Sequence, residues 1–349
     1  MVGILRDPNY AHSLWGKQLY ESLTRALREK RIPFCEIDST CPHDLDGVFV
    51  IATEREWIES VLTRLNQGGH KPILLCNQAE HLPGVLYSCV CSDLNTSMKA
   101  LLEHLTQLGK TRIALYGINT DSVSDLGRVD SLYLWRGRDT SLQVFANEGS
   151  LKDCFDRFFP LASTFDAVIC PNDFAAVSLV RRLRAAAPET RSSLTVVSCS
   201  ASCISDAYKN EIRSLEMNFD RFGRAAVHLH ETLLKHRYFS ELTVKVAWTL
   251  EDVAETEKRT VSLTPIQAKD RFYQDPEFAE MLIVEHLLSV SDPVEQKILE
   301  CLLNRETTDQ IAEKTFLSSG SVRYHIKRLV SESGAKDREH MVTLLSQYT

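Results

Sequence analysis

"SSGSVRYHIKRLVSESGAKDRE", Ser318 to Glu339, decides how the C-terminal part of the chain folds. Val322, Ile326, Leu329 and Val330 recur at helical spacing and make one apolar stripe. Arg323, Tyr324, Lys327 and Arg328 then fall on the other side. Ser318, Ser319 and Ser321 stand where the helix begins, where a hydroxyl accepts a hydrogen bond from an otherwise unpaired backbone N–H. An isolated basic helix is ordinarily solvated surface, but this one has neighbours that change its meaning. "SDPVEQKILECLLN" (291–304), "TTDQIAEKTF" (307–316) and "REHMVTLLSQY" (338–348) each read as a short helix, and only a brief turn at "LSSG" separates the second from the third. That order describes a helix-turn-helix unit. The last segment keeps helical spacing, so no β-hairpin wing is expected.

From Asp292 to Leu345 the chain resembles the LuxR-type (GerE-like) DNA-binding domain, on Glu295, "TTDQIA", "LSSGSVRYHIKRL" and "GAKDRE". The resemblance implies that Arg323, Tyr324 and Lys327 face the major groove of double-stranded DNA. It further implies that Thr308, Lys336 and Arg338 approach the backbone. Arg and Lys suit guanine edges and phosphates, and the helix N-terminus at Ser321 attracts phosphate. Three positions depart from the family: Arg305 replaces a customary glycine, Glu332 a lysine and Ser333 a core leucine. Eight Lys/Arg stand against nine Asp/Glu in this segment, so affinity for DNA is expected to depend on a homodimer.

The whole chain of 349 residues exceeds one ordinary core, and 44% hydrophobic with 25% charged residues describes a globular protein. A net charge of -7 excludes a histone-like binder held by global attraction and leaves room for a local basic surface. "MVGILRDPNY" reads as a strand rather than a signal peptide, and no run is apolar and long enough to span a bilayer. The ten cysteines are scattered without a paired CxxC motif and read as reduced, buried thiols. A cytoplasmic protein without membrane association follows.

Between residues 1 and 250, apolar strand runs such as "VGILR", "GVFVIA", "PILLC", "RIALYG", "DAVIC" and "LTVVS" alternate with helical patterns. This alternation predicts βαβ units, and wholly apolar strands predict parallel sheets covered on both faces. There are too many units for one sheet, so the expected fold class is α/β, two doubly wound lobes followed by a small all-α domain. "EDVAETEKRTVSLTPIQAKD" (251–270) reads as a linker. In "DPEFAEMLIVEHLLS" (275–289), Asp275 caps a helix whose apolar positions cover more than one stripe, enough to pack against another chain as well as its own. The expected units are a sensor over 1–250, linker plus helix over 251–290 and a reader over 291–349.

Four stretches resemble LacI-type sensor domains, which share the type I periplasmic-binding-protein fold: "VCSDLNTSMKALLEHLTQLGKTRIALYG", "GRVDSLYLW", "FDAVICPNDFAAVSLVRRLR" and "IRSLEMNFDRFGRAAVHLHETLL". Open α/β sheets bind ligands beyond the carboxyl ends of their strands, and here two such edges would face across a cleft. Asn9, Tyr10 and Trp15 follow the first strand, Asp173 follows "DAVIC", and Arg128 suits a hydroxyl pair or a carboxylate. Asn218, at the return across the hinge, joins them as a ligand-binding candidate. The plain alternatives are a helix cap for Asp173, a salt bridge for Arg128 and core packing for Tyr10 and Trp15. The ligand expected is a small effector, a sugar or related metabolite, although Ser200 and Ala201 stand where the family often carries an acidic pair.

No Walker A loop, GxGxxG after the first strand or serine or cysteine elbow is visible, so neither a cofactor nor an enzyme is expected. His228, His230 and His236 are spaced wrongly for one helical face, and no metal is expected. The reading is a ligand-responsive transcriptional regulator. Its alternative is a small-molecule-binding protein whose helical bundle serves dimerisation or protein contact.

Overall fold

The computed structural model describes residues 1–8, 11, 13–38, 45–79, 81–136, 142–200, 202–250 and 274–349. The linker expected at 251–270 lies outside the described residues, as do Asn9, Tyr10 and Ala201.

The first lobe holds β1 (Val2–Arg6), α1 (Leu14–Glu29), β2 (Phe34–Glu36), β3 (Gly47–Ile51), α2 (Arg55–Gln67), β4 (Pro72–Cys76) and β5 (Ser88–Ser92). The chain crosses through α3 (Leu94–Gln107) to the second lobe. There it forms β6 (Ile113–Ile118), α4 (Val123–Arg136), β7 (Gln143–Ala146), α5 (Leu151–Phe158), β8 (Ala167–Cys170), α6 (Asp173–Ala186), α7 (Pro188–Ser193), β9 (Thr195–Ser198), α8 (Cys203–Asp206) and β10 (Ile212–Glu216). It returns through α9 (Phe219–Lys235) to β11 (Thr243–Val246) and crosses a third time to β12 (Thr249–Leu250). The first sheet runs β11-β5-β4-β3-β1-β2 and is parallel throughout. The second runs β12-β10-β9-β8-β6-β7, with β12 alone antiparallel.

The strands are apolar because helices cover both sheet faces; Val2, Phe49, Val50, Leu115 and Val168 are fully buried. Helix starts follow local chemistry. The side chains of Ser13, Asp93, Ser150 and Asn172 each accept a backbone N–H from the first turn of α1, α3, α5 and α6.

Five helices complete the chain: α10 (Pro276–Val290), α11 (Pro293–Leu303), α12 (Thr308–Thr315), α13 (Ser319–Ser333) and α14 (Arg338–Tyr348). Helix α10 is apolar on more than one side because it is packed on two sides within this chain. Phe278 meets Phe174 of the second lobe, while Met281, Val284 and Leu287 enter a core shared by α6, α13 and α14. Each such buried side chain contributes about 1.5–3 kcal/mol. Ion pairs from Arg181 and Arg182 to Glu277, at 3.3 and 2.6 Å, fasten the same junction. Among the described residues no helix is long and apolar enough to cross a membrane.

Candidate nucleic-acid interface and interlobe cleft

The C-terminal bundle is assembled by its caps. In α11, Asp292 and Glu295 form a reciprocal capping box, and Thr307 and Gln310 do the same for α12. Ser318 Oγ accepts the Ser321 N–H at 3.1 Å to start α13, and Ser319 Oγ donates to Asp309 at 2.8 Å, tying α13 to α12. Arg305 and Phe316 end α11 and α12 in the left-handed region, at φ 58° and 56°, where a glycine would be unstrained. The departure from glycine at Arg305 is thus accommodated by backbone conformation. Ser333 is buried in place of a leucine, with its hydroxyl donating to Val330 O at 2.9 Å.

Val322, Ile326 and Leu329 form the buried stripe of α13, and Val330, expected with them, is half-buried against the same core. Arg323, Tyr324 and Lys327 are exposed, Tyr324 by 68%, and neither Arg323 nor Lys327 is ion-paired among the described residues. Arg328 requires a correction. Its guanidinium turns inward to Glu295 at 2.6 Å and to the Val290 carbonyl at 3.4 Å, because the fully buried Glu295 carboxylate needs a counter-charge. His325 Nδ1 meets the same oxygen at 3.0 Å. Thr308 opens α12 and is half-buried, Ser321 is half-buried beside the Ser318 cap, and Lys336 is exposed. Arg338 donates to the Glu306 carbonyl at 2.8 Å, which braces the turn between α11 and α12.

Between the lobes lies a cavity of ≈ 670 Å³, with walls from α1, α4, α6, both sheet edges and α10. Trp15 and Arg128 line it. Arg128 is 6% exposed, held by Asp125 at 2.6 Å, and lies 5.2 Å over the Trp248 ring. Arg128 Nε and Trp15 Nε1 are buried with no hydrogen-bond partner among the described residues, which leaves two donors beside the cavity for a ligand to satisfy.

Two other expectations are corrected. Asn172, not Asp173, caps α6, accepting the Ala175 N–H at 3.0 Å. Asp173 is 1% exposed and turns away from the cavity, accepting the N–H and hydroxyl of Ser202, each at 2.6 Å. Burial raises its pKa. Asn218 caps α9 through the Arg221 N–H at 3.0 Å, and its neighbours Met217 and Phe219 line the cavity instead. Asn77, Trp248, Phe174, Phe278 and Leu282 also line it and had no sequence signal. His230 is buried against Phe49 whereas His228 is exposed, so the three histidines do not converge.

Glu285 of α10 is fully buried and accepts the N–H groups of Cys203 and Ile204 at 3.0 and 2.6 Å. Burial pushes its pKa up to about 7, from 4.5, despite those two donors. The native state therefore holds this proton more tightly than the unfolded chain, and the contribution to stability falls as pH rises from about 4.5 through about 7. The melting temperature of the native protein minus that of Glu285→Gln is expected to fall as pH goes from about 5 to about 7.5. A pH-independent difference in calorimetry would contradict this.

Comparison with known proteins places both parts. Residues 291–332 match a family model of winged helix-turn-helix DNA-binding domains. The match ends before α14, which is a helix where a wing would begin with a strand. Among solved structures, the chain is similar to the transcriptional regulator CelR in complex with cellobiose, at 16% identity and TM-score 0.56 over 72% of this chain and 83% of that one. It is similar to the Lac repressor bound to ONPG, at 12% identity and TM-score 0.56 over 72% and 80%. A third is a LacI family regulator from Enterococcus faecium with bound ribose, at 16% identity and TM-score 0.52 over 72% and 97%. A search of curated proteins found no match. The chain thus has the two-lobed α/β fold of LacI-type sensors, followed by an all-helical region that matches a helix-turn-helix DNA-binding model.

Proposed function

We propose that this protein is a ligand-responsive, DNA-binding transcriptional regulator, with a sensor over residues 1–250, a linker and helix over 251–290 and a reader over 291–349. The observation that carries the reading is the outward edge of Arg323, Tyr324 and Lys327, its two cations without an ion pair among the described residues, on a helix-turn-helix unit joined to a two-lobed cavity. A LuxR-type identity for the unit is supported by the helical α14. The effector is a small polar metabolite of the sugar class: Arg128 and Asn77 offer hydrogen bonds, Trp15 and Trp248 offer ring faces, and the similar structures hold cellobiose and ribose. The protein acts in the cytoplasm as a homodimer whose half-sites lie about one helical turn apart. Placing the reader after the sensor sets it apart from LacI-type regulators, whose helix-turn-helix comes first, so their hinge-helix coupling does not carry over.

Selection of duplexes from a random-sequence library by the purified protein tests this reading. A shared two-half-site sequence is expected, with binding altered by one of ribose, glucose, lactose or cellobiose, or a related compound. Failure to enrich any sequence at moderate salt would contradict it.

A further inference from the structure

Helix α10 meets three parts of the molecule at once. The Phe278 ring lies edge-on against Phe174 of α6, centroids 4.6 Å apart, and both Phe278 and Leu282 form wall of the interlobe cavity. On its other sides α10 holds the DNA-reading bundle. The Val290 carbonyl accepts Arg328 of α13 at 3.4 Å, His286 meets Glu332 of α13 at 3.4 Å, and Glu280 accepts the Tyr348 hydroxyl of α14 at 2.6 Å. Met281 and Leu287 are buried in the core that also contains Val322 and Leu329. One helix of 15 residues, about 22 Å long, therefore spans from cavity wall to recognition helix.

On the reading of the cavity as an effector site, we infer that the helix carrying the DNA-binding unit completes that site. The bound molecule lies directly against Phe278 and Leu282 as well as against both lobes. The ligand that fits has polar groups for Arg128 and Asn77 and an apolar face or substituent for Phe278 and Leu282. A closely packed helix answers a push on one face by moving as a unit, because protein interiors are dense and transmit strain. Occupancy thus displaces α13 through α10, without depending on lobe closure alone, and Phe278 and Leu282 set which effectors act.

Leu282 is half-buried, which makes it the position to test. The full-length Leu282→Cys protein would be treated with N-ethylmaleimide, with modification at residue 282 read by peptide mass spectrometry. Affinity would be measured for a duplex selected by the unsubstituted protein. The thiol is expected to react in the folded protein, and the adduct, a permanent occupant of that wall, to change duplex affinity at least fivefold, the lower end of ordinary coupling between sites (about 5–150-fold). The unsubstituted protein given the same reagent is expected to bind as before, which controls for its own cysteines. Phe278→Cys supplies the same readout should Leu282→Cys fail to fold. Reaction only in denaturant, or an adduct that binds the duplex like the unmodified variant, would overturn the inference while leaving the regulator reading intact. An unsubstituted protein that binds no duplex sinks the regulator reading, and this inference with it.

Discussion

Replacing both Arg323 and Lys327 with glutamate is expected to weaken binding to a selected duplex by at least roughly 100-fold, with the melting temperature and oligomeric state of the protein unchanged. Each side chain is exposed and unpaired among the described residues, so its loss removes nothing from the fold. Surface substitutions of this kind ordinarily stay within about 0.5 kcal/mol. A base-edge contact contributes about 1–3 kcal/mol, and two new carboxylates facing phosphates add repulsion. Fluorescence anisotropy with labelled duplex, beside circular dichroism and sedimentation, measures both halves of the expectation. A variant that folds and still binds the duplex as tightly would show that these two side chains are not the reading edge, whereas a protein that binds no duplex with or without the substitutions would favour a bundle built for protein contact.

The opposite dissociation is expected at Glu295. Its carboxylate is 0% exposed, pairs with Arg328 at 2.6 Å and His325 at 3.0 Å, and accepts the Asp292 N–H at 3.3 Å. Glu295→Ala strands the Arg328 charge, removes half of the capping box and opens a void where α11 meets α13. Removing one partner from a buried ion pair costs about 3–5 kcal/mol, and the lower figure applies here because Arg328 is 37% exposed and can reach water. The C-terminal unit is expected to lose about 3 kcal/mol in urea unfolding, and DNA binding is lost through unfolding rather than through a missing contact. A loss under about 1 kcal/mol would mean that the Glu295–Arg328–His325 cluster is incidental.

Most strands of both sheets were legible because burial on both faces leaves continuous apolar runs, as in "PILLC" and "DAVIC", whereas the short β2 and β12 carry no such run. The recognition helix was legible because its aliphatic stripe repeats at helical spacing. Strand β11 was not, since "TVKV" lies at a sheet edge with Thr243 and Lys245 exposed, and its apolar content is low. Arg328 misled for a geometric reason. It shares a flank of α13 with His325, three residues away, and a helical projection cannot show that this flank faces Glu295 on another helix. Asp173 misled because Asn172 and Asp173 are both good caps; the helix begins one residue after Asn172, and that single step swings Asp173 toward Ser202 instead of the cavity. Phe278 and Leu282 were invisible as cavity residues because apolar positions in an amphipathic helix look alike whether they meet a core or a ligand.

On the proposed function, α13 presents Arg323, Tyr324 and Lys327 to base edges in the major groove. Methylation interference on a selected duplex tests it most directly, since the N7 position of guanine lies in that groove. Premethylation is expected to block binding at guanines in two half-sites about one helical turn apart, with Arg323→Ala erasing the effect at one position in each. Binding indifferent to N7 methylation throughout the protected sequence would contradict the account.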